Sequence, residues 1–183
     1  MTATMNKKPP TVNQVAREKR AKQKADVFTP PRPVNEILDK LPPEMWEPQK
    51  DFCDPTCGDG DMLVEVLHRK LQKGHNPHQA LSTIYGIDIM ADKVEECRLR
   101  LLRFVSENGY TITRAMIAEV LNHIVATPVG KKYPRGPLDY DFRFATRISE
   151  HDEEVDRWMH SITNGNQPRS GPTPVTPPAK LSR

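Results

Sequence analysis

Glycine and aromatic side chains are scarce in this chain, and long apolar runs are missing. Nine glycines stand against eighteen prolines, aromatics make up 6% and hydrophobic residues 36% of the 183 residues. With a mean hydropathy of -0.68, the chain cannot bury its whole length, so part of it is expected to stay outside a compact core. No stretch approaches the roughly 20 apolar residues that cross a bilayer, and no apolar signal segment opens the chain. The reading is a soluble, cytoplasmic protein with no membrane partner. The three cysteines, Cys53, Cys57 and Cys97, are an odd number without an export signal and read as reduced thiols. The Gly-Lys-Ser/Thr of a Walker loop is absent. A net charge of +3 implies no nucleic-acid partner by itself.

The distribution of that charge says more. Residues 1–25 carry Lys7, Lys8, Arg17, Lys19, Arg20, Lys22 and Lys24 against the single acid Glu18. They read as a basic flexible arm, with Lys19, Arg20, Lys22 and Lys24 as candidate nucleic-acid contacts. Residues 161–183 are rich in Pro, Ser, Thr and Gly and read as a disordered tail. The folded part is expected over 26–160.

Within it, apolar periodicity alternates. "PVNEILDKLP" places Val34, Ile37, Leu38 and Leu41 on one helical face before Pro42-Pro43. "KDFCDP" predicts a strand. Asp61 is the predicted cap of a helix whose stripe is Leu63, Val66, Leu67 and Leu71, ending at Gly74. "STIYGIDI" predicts a buried strand, "ADKVEECRLRLLRFVSENG" a long amphipathic helix, "TRAMIAEVL" another helix and "NHIVA" a third strand. Strands separated by helices imply an open parallel sheet with crossovers.

Ligands of such sheets sit on the loops after the strands. Here the first loop reads Asp54-Pro55-Thr56-Cys57-Gly58-Asp59-Gly60-Asp61. Gly58 and Gly60 allow close backbone approach to a ligand. Asp88, at the end of the second strand, is placed to accept from both hydroxyls of a ribose. A dinucleotide fingerprint would need a third glycine where Leu63 stands, and Asp54, Asp59 and Asp61 would repel a pyrophosphate. S-adenosylmethionine fits better: it has a ribose, no phosphate, and cationic groups that tolerate carboxylates.

Other residues draw plainer readings. Cys53 and Cys57 have a metal-like spacing but no second ligand pair, and are expected as small core residues. His75 and His78 are expected in an exposed loop after a helix. "HDEEVDRW" reads as a solvated helix with Trp158 as its docking residue rather than as an acid–base pair. No metal site is expected.

"FTPPRPVNEILDKLP", "DFCDPTCGDGDML" and "IYGIDI" together resemble three successive motifs of the adenine-N6 DNA methyltransferases whose Phe-Thr-Pro motif leads. The resemblance covers about residues 26–145, "NHIVATPV…YDFRF" being similar to a degenerate third motif. It implies a Rossmann-like S-adenosylmethionine-dependent methyltransferase fold, α/β with a parallel sheet core, incomplete here. It implies that Phe28, Thr29 and Pro30 pack against the methionine end of the cofactor. Asp54, Thr56, Gly58 and Gly60, with Pro55, would line its amino-acid part, and Asp88, with Ile89, would hold the nucleoside. DNA methylation of the restriction–modification kind follows as the implied activity, with DNA as the substrate.

The family's acceptor motif is Asn, Asp or Ser, then Pro-Pro, then an aromatic, which holds the flipped adenine. Of the four Pro-Pro pairs in this chain, none has both neighbours. Catalytic residues are therefore unassigned. Two readings stand: an active methyltransferase, either a minimal enzyme or one half of a split enzyme whose partner supplies the acceptor motif, or a non-catalytic protein using the fold to bind cofactor, DNA or a protein.

Overall fold

The computed structural model describes residues 31–127, 137 and 140–163, the side chains of Pro31, Arg32 and Phe144 excepted. The first helix, α1 (Pro31–Leu38), precedes a 3-10 turn (Pro43–Trp46) and strand β1 (Phe52–Asp54). Then come α2 (Asp61–Gln72), the short α3 (Pro77–Leu81) and β2 (Ile84–Asp88). Helices α4 (Ala91–Glu107) and α5 (Arg114–His123) lead into β3 (Ile124–Ala126). A 3-10 turn (Phe142–Phe144) and α6 (Glu153–Thr163) follow.

The strands form one sheet in the order β1-β2-β3, with both pairings parallel. Asp54 lies opposite Gly86, and Asp88 opposite Ala126. Helices link each strand to the next, as parallel neighbours require. This is the expected α/β arrangement of an incomplete Rossmann-like fold.

Burial follows the apolar stripes. Leu63, Val66, Leu67 and Leu71 of α2 are all buried, joined by Leu101, Leu102, Ile117 and Leu121 from α4 and α5. Each helix faces the sheet because its apolar residues recur at three- and four-residue spacing. Gly86 has almost no room above it: an added Cβ would stand 2.7 Å from Leu63 Cδ1 and 3.0 Å from Cys57 Sγ. A glycine in β2 is what lets α2 sit this close to the strand.

Lys70 is the unexpected core residue. Although fully buried, its ammonium donates to Lys50 O at 2.8 Å and Thr83 Oγ1 at 2.6 Å, and lies 5.2 Å from the Phe52 ring centre. It bridges the segments that enter β1 and β2. Burial pulls its pKa down to about 8.

Three expectations change. Ile37 is 47% exposed, because α1 buries Val34 and Leu38, and Ile37 lies 100° around the helix from Leu38. Cys53 is exposed rather than core, on a strand that among the described residues pairs only with β2. His78 belongs to α3, whose cap is Asn76: its side chain accepts from the N–H groups of His78 and Gln79. Trp158 does pack against the core, but the fully buried residue of α6 is Val155.

Candidate functional site

The turn between β1 and α2 is built by its own short-range bonds. Asp54 Oδ1 accepts from Thr56 N at 2.9 Å and from Thr56 Oγ1 at 3.3 Å, an Asx turn that reverses the chain at the strand end. Cys57 N then donates to Ile87 O at 3.0 Å, fastening the turn to β2. Gly60 sits in the left-handed region at φ +88° and is the residue that caps α2. Asp61 was expected in that role. It is instead the first residue inside the helix, and its carboxylate accepts from Arg100 Nη2 at 2.6 Å.

Arg100 grips the turn at both ends. Its Nη1 donates to Asp59 O at 2.8 Å and lies 3.2 Å from Asp59 Oδ1, while Lys93 Nζ stands 3.9 Å from Asp59 Oδ2. Burial lowers the Arg100 pKa, but Asp61 and Asp59 overcome that and hold it above the ordinary value. Two of the three carboxylates expected to repel a pyrophosphate are thus already balanced by cations of α4. Leu63, at the place of a third glycine, is buried in the core, so the helix–strand packing of a dinucleotide fingerprint is still missing.

Asp88 closes the arrangement. Its Oδ2 accepts from Gly58 N at 3.0 Å and its Oδ1 from Met90 N at 2.8 Å. Each carboxylate oxygen accepts about two hydrogen bonds, so both have capacity left for a ligand. Ile89, next along, leaves an apolar side chain 50% exposed. Gly58 is in the left-handed region at φ +54°, with nothing within 4 Å of the place a Cβ would occupy.

Behind the turn, Cys57 and Cys97 are both buried. The Cys57 thiol is pushed far up by its hydrogen bond with Cys97 and then by burial. A Cβ on Gly60 would stand 2.5 Å from Cys97 Sγ. These thiols fill space behind the loop. Among the described residues, no group of three or more His, Cys, Asp or Glu could hold a metal ion.

The fold therefore brings Asp54, Pro55, Thr56, Gly58, Gly60, Asp88 and Ile89 to one end of the sheet. Phe28, Thr29 and Pro30 lie outside the described residues, as do Lys19, Arg20, Lys22 and Lys24. The sequence reading missed Arg100 and Lys93. Their signal was a seven-residue spacing that puts both cations on one face of α4, opposite a turn with more acids than it can leave unpaired.

Comparisons with known proteins bear on these residues. A family model described as N-6 DNA Methylase matches residues 11–164. The Type II methyltransferase M.VspI of Vibrio sp. (strain 343) is 32% identical over 127 residues, covering 64% of this chain and 29% of that protein. The chain thus spans less than a third of the length of this curated relative. No solved structure matches.

Proposed function

The chain belongs to the N-6 DNA methylase family, and from that premise we propose that it is the cofactor-binding part of an adenine-N6 DNA methyltransferase, with S-adenosylmethionine as its ligand. The observation that carries this reading is the Asp88 carboxylate, fixed by the Gly58 and Met90 amides at the carboxyl end of β2. A carboxylate so held is set to accept from two vicinal hydroxyls, and each such charge-assisted bond contributes about 1.5–3 kcal/mol.

The residues fit the cofactor in four respects. Asp88 keeps acceptor capacity on both oxygens. The exposed Ile89 offers an apolar surface to a base. The space beside Gly58 lets a ligand approach the backbone. Asp54 adds a half-buried carboxylate for a cationic ammonium. Bound there, the cofactor supplies an electrophilic methyl on a sulfonium. The chain's own residues bind and orient it: Asp88 fixes the nucleoside, and the Asp54–Gly60 turn fixes the amino-acid part. Phe28, Thr29 and Pro30 are proposed to cover the methionine end. The methyl acceptor is proposed to be an adenine amine in DNA, with Lys19, Arg20, Lys22 and Lys24 of the arm (residues 1–25) contacting phosphates. The folded unit is proposed over 26–160.

Calorimetry and native mass spectrometry test the assignment. One molecule of S-adenosylmethionine per chain is expected, with no comparable affinity for NAD. Absence of binding, or a preference for NAD, would remove the cofactor reading.

A further inference from the structure

Resting on that cofactor reading, we propose that Arg100 and Lys93 of α4 set the charge selectivity of the site. By neutralising Asp59 and Asp61 they fix how strongly it prefers the cationic sulfonium of S-adenosylmethionine over the neutral thioether of S-adenosylhomocysteine.

Four carboxylates gather at the carboxyl end of the sheet: Asp54, Asp59 and Asp61 around the first turn, and Asp88 at the end of β2. They divide into two kinds. Among the described residues, Asp54 accepts from the Thr56 amide and hydroxyl, and Asp88 from the Gly58 and Met90 amides. Such neutral donors hold a carboxylate in place without cancelling its charge.

Asp59 and Asp61 meet cations instead. Arg100 Nη2 lies 2.6 Å from Asp61 Oδ1 and its Nη1 3.2 Å from Asp59 Oδ1, while Lys93 Nζ lies 3.9 Å from Asp59 Oδ2. Asp59 is 7% and Lys93 6% exposed, so solvent screens this cluster little. Arg103, three residues further along α4, is held in the field of Glu96 and Glu107. With its paired acids and cations the cluster is neutral. The charge left for a ligand is that of Asp54 and Asp88.

Arg100 contributes in two ways that the ligands themselves separate. Its Nη1 donates to Asp59 O at 2.8 Å, which positions the backbone of the turn. Losing that bond would weaken any ligand held by the turn, whatever its charge. The guanidinium charge acts differently. In S-adenosylmethionine two methylenes join the sulfur to the amino-acid carbon, so a turn that holds the amino-acid part lies near the sulfonium. Removing one cation turns the neutral cluster into an anion, which attracts the sulfonium and is indifferent to the thioether. The two ligands differ only in the methyl group and its charge. Their affinity ratio therefore reports the electrostatics and cancels the positioning.

The test is calorimetric titration of the full chain and its variants with both ligands at low salt. Arg100→Gln should raise the preference for S-adenosylmethionine over S-adenosylhomocysteine by at least about threefold, the effect of a unit charge acting over roughly 10 Å. Asp61→Asn keeps the size of the side chain and leaves the cluster cationic, so it should lower the preference by a similar factor. Arg100→Lys should keep the wild-type ratio. So should the double variant Asp61→Asn with Arg100→Gln, whose cluster is neutral again.

Asp61→Asn carries the test where Arg100→Gln fails to fold, since the Asp61 side chain is one-third exposed at the start of its helix. Equal changes in affinity for both ligands in every variant would overturn the proposal and leave Arg100 with positioning alone. Shifts of the same sign in Arg100→Gln and Asp61→Asn would overturn it too. A wild-type chain that binds neither ligand would remove the cofactor reading and this inference with it. One that binds both with a ratio indifferent to the variants removes only the inference.

Discussion

The Gly58 N–H donates to Asp88 Oδ2 at 3.0 Å across thirty residues of sequence, so the loop after β1 and the end of β2 hold each other in place. Asp88 is then both a proposed ligand contact and a clamp on the loop that forms the rest of the pocket. Asp88→Ala should weaken S-adenosylmethionine binding by at least about tenfold, since it removes one or two charge-assisted bonds and frees the Gly58 and Met90 amides. Equal calorimetric affinity of mutant and wild type would remove Asp88 from the site.

Gly58 and Gly60 separate conformational strain from crowding. Both have positive φ, so alanine at either costs about 1–2 kcal/mol of left-handed strain. At Gly60 the new Cβ also meets Cys97 Sγ at 2.5 Å, and such overpacking adds about 1–3 kcal/mol. Urea denaturation should therefore rank Gly60→Ala as clearly less stable than Gly58→Ala. The opposite order would mean that Cys97 moves aside at little cost.

Lys70 predicts a pH signature. Its folded pKa is lowered from 10.5 to about 8. Between those values the unfolded chain holds a proton that the folded chain has released, so stability from this group rises with pH across the window. Below pH 8 the cost of burying the charge is present in full, on the order of 3 kcal/mol. Lys70→Met should flatten the rise in unfolding free energy from about pH 8 to 10.5 relative to wild type. Parallel curves would show that Lys70 stays charged in both states.

The isolated chain should bind cofactor without methylating adenine in DNA. Alignment of donor and acceptor supplies about 7–11 kcal/mol of barrier reduction in such transfers. Extrusion of a base costs a few kcal/mol that no acceptor motif in this chain offsets. Labelled cofactor and mixed-sequence DNA, single- and double-stranded, provide the assay. Label in N6-methyladenine that disappears with Asp88→Ala would establish an acceptor site in this chain and refute the expectation.

For the basic arm, the salt dependence of DNA binding is the measurement. If residues 1–25 contact phosphates, affinity should fall steeply with salt, and deleting them should reduce the slope by about 0.9 per lost contact. Unchanged affinity and slope would make the segment a solubilising tail.

The alternation of strands and helices was legible because it depends on apolar spacing, which survives in any sequence that folds this way. Leu63, Val66, Leu67 and Leu71 are buried together for that reason. What periodicity could not supply was the identity of partners across the fold. Asp61 has the chemistry of a helix cap, yet Gly60 takes that place because its left-handed backbone brings the chain into α2 and leaves Asp61 to Arg100. Cys53 alternates correctly in β1, but its exposure depends on β1 being an edge of the sheet formed by the described residues, which no local pattern reveals. Lys70 lies seven residues after Leu63 on the buried face of α2, and its charge hid the fact. The loop residues of the site were readable from glycine and acid spacing, whereas the cations that balance them came from a helix some forty residues away.

The close approach of Gly60 to Cys97 and of Gly86 to Cys57 and Leu63 also bears on how this family can vary. These five positions share one small volume, so they cannot drift independently. A relative with a side chain at 60 needs a smaller residue at 97, and one with alanine at 86 needs less volume at 57 or 63. Substitutions at the five sites should therefore be inherited in compensating pairs that keep the combined side-chain volume nearly constant. This constraint acts on the two thiols through their size rather than their reactivity, and serine or alanine are the replacements that the space would accept there.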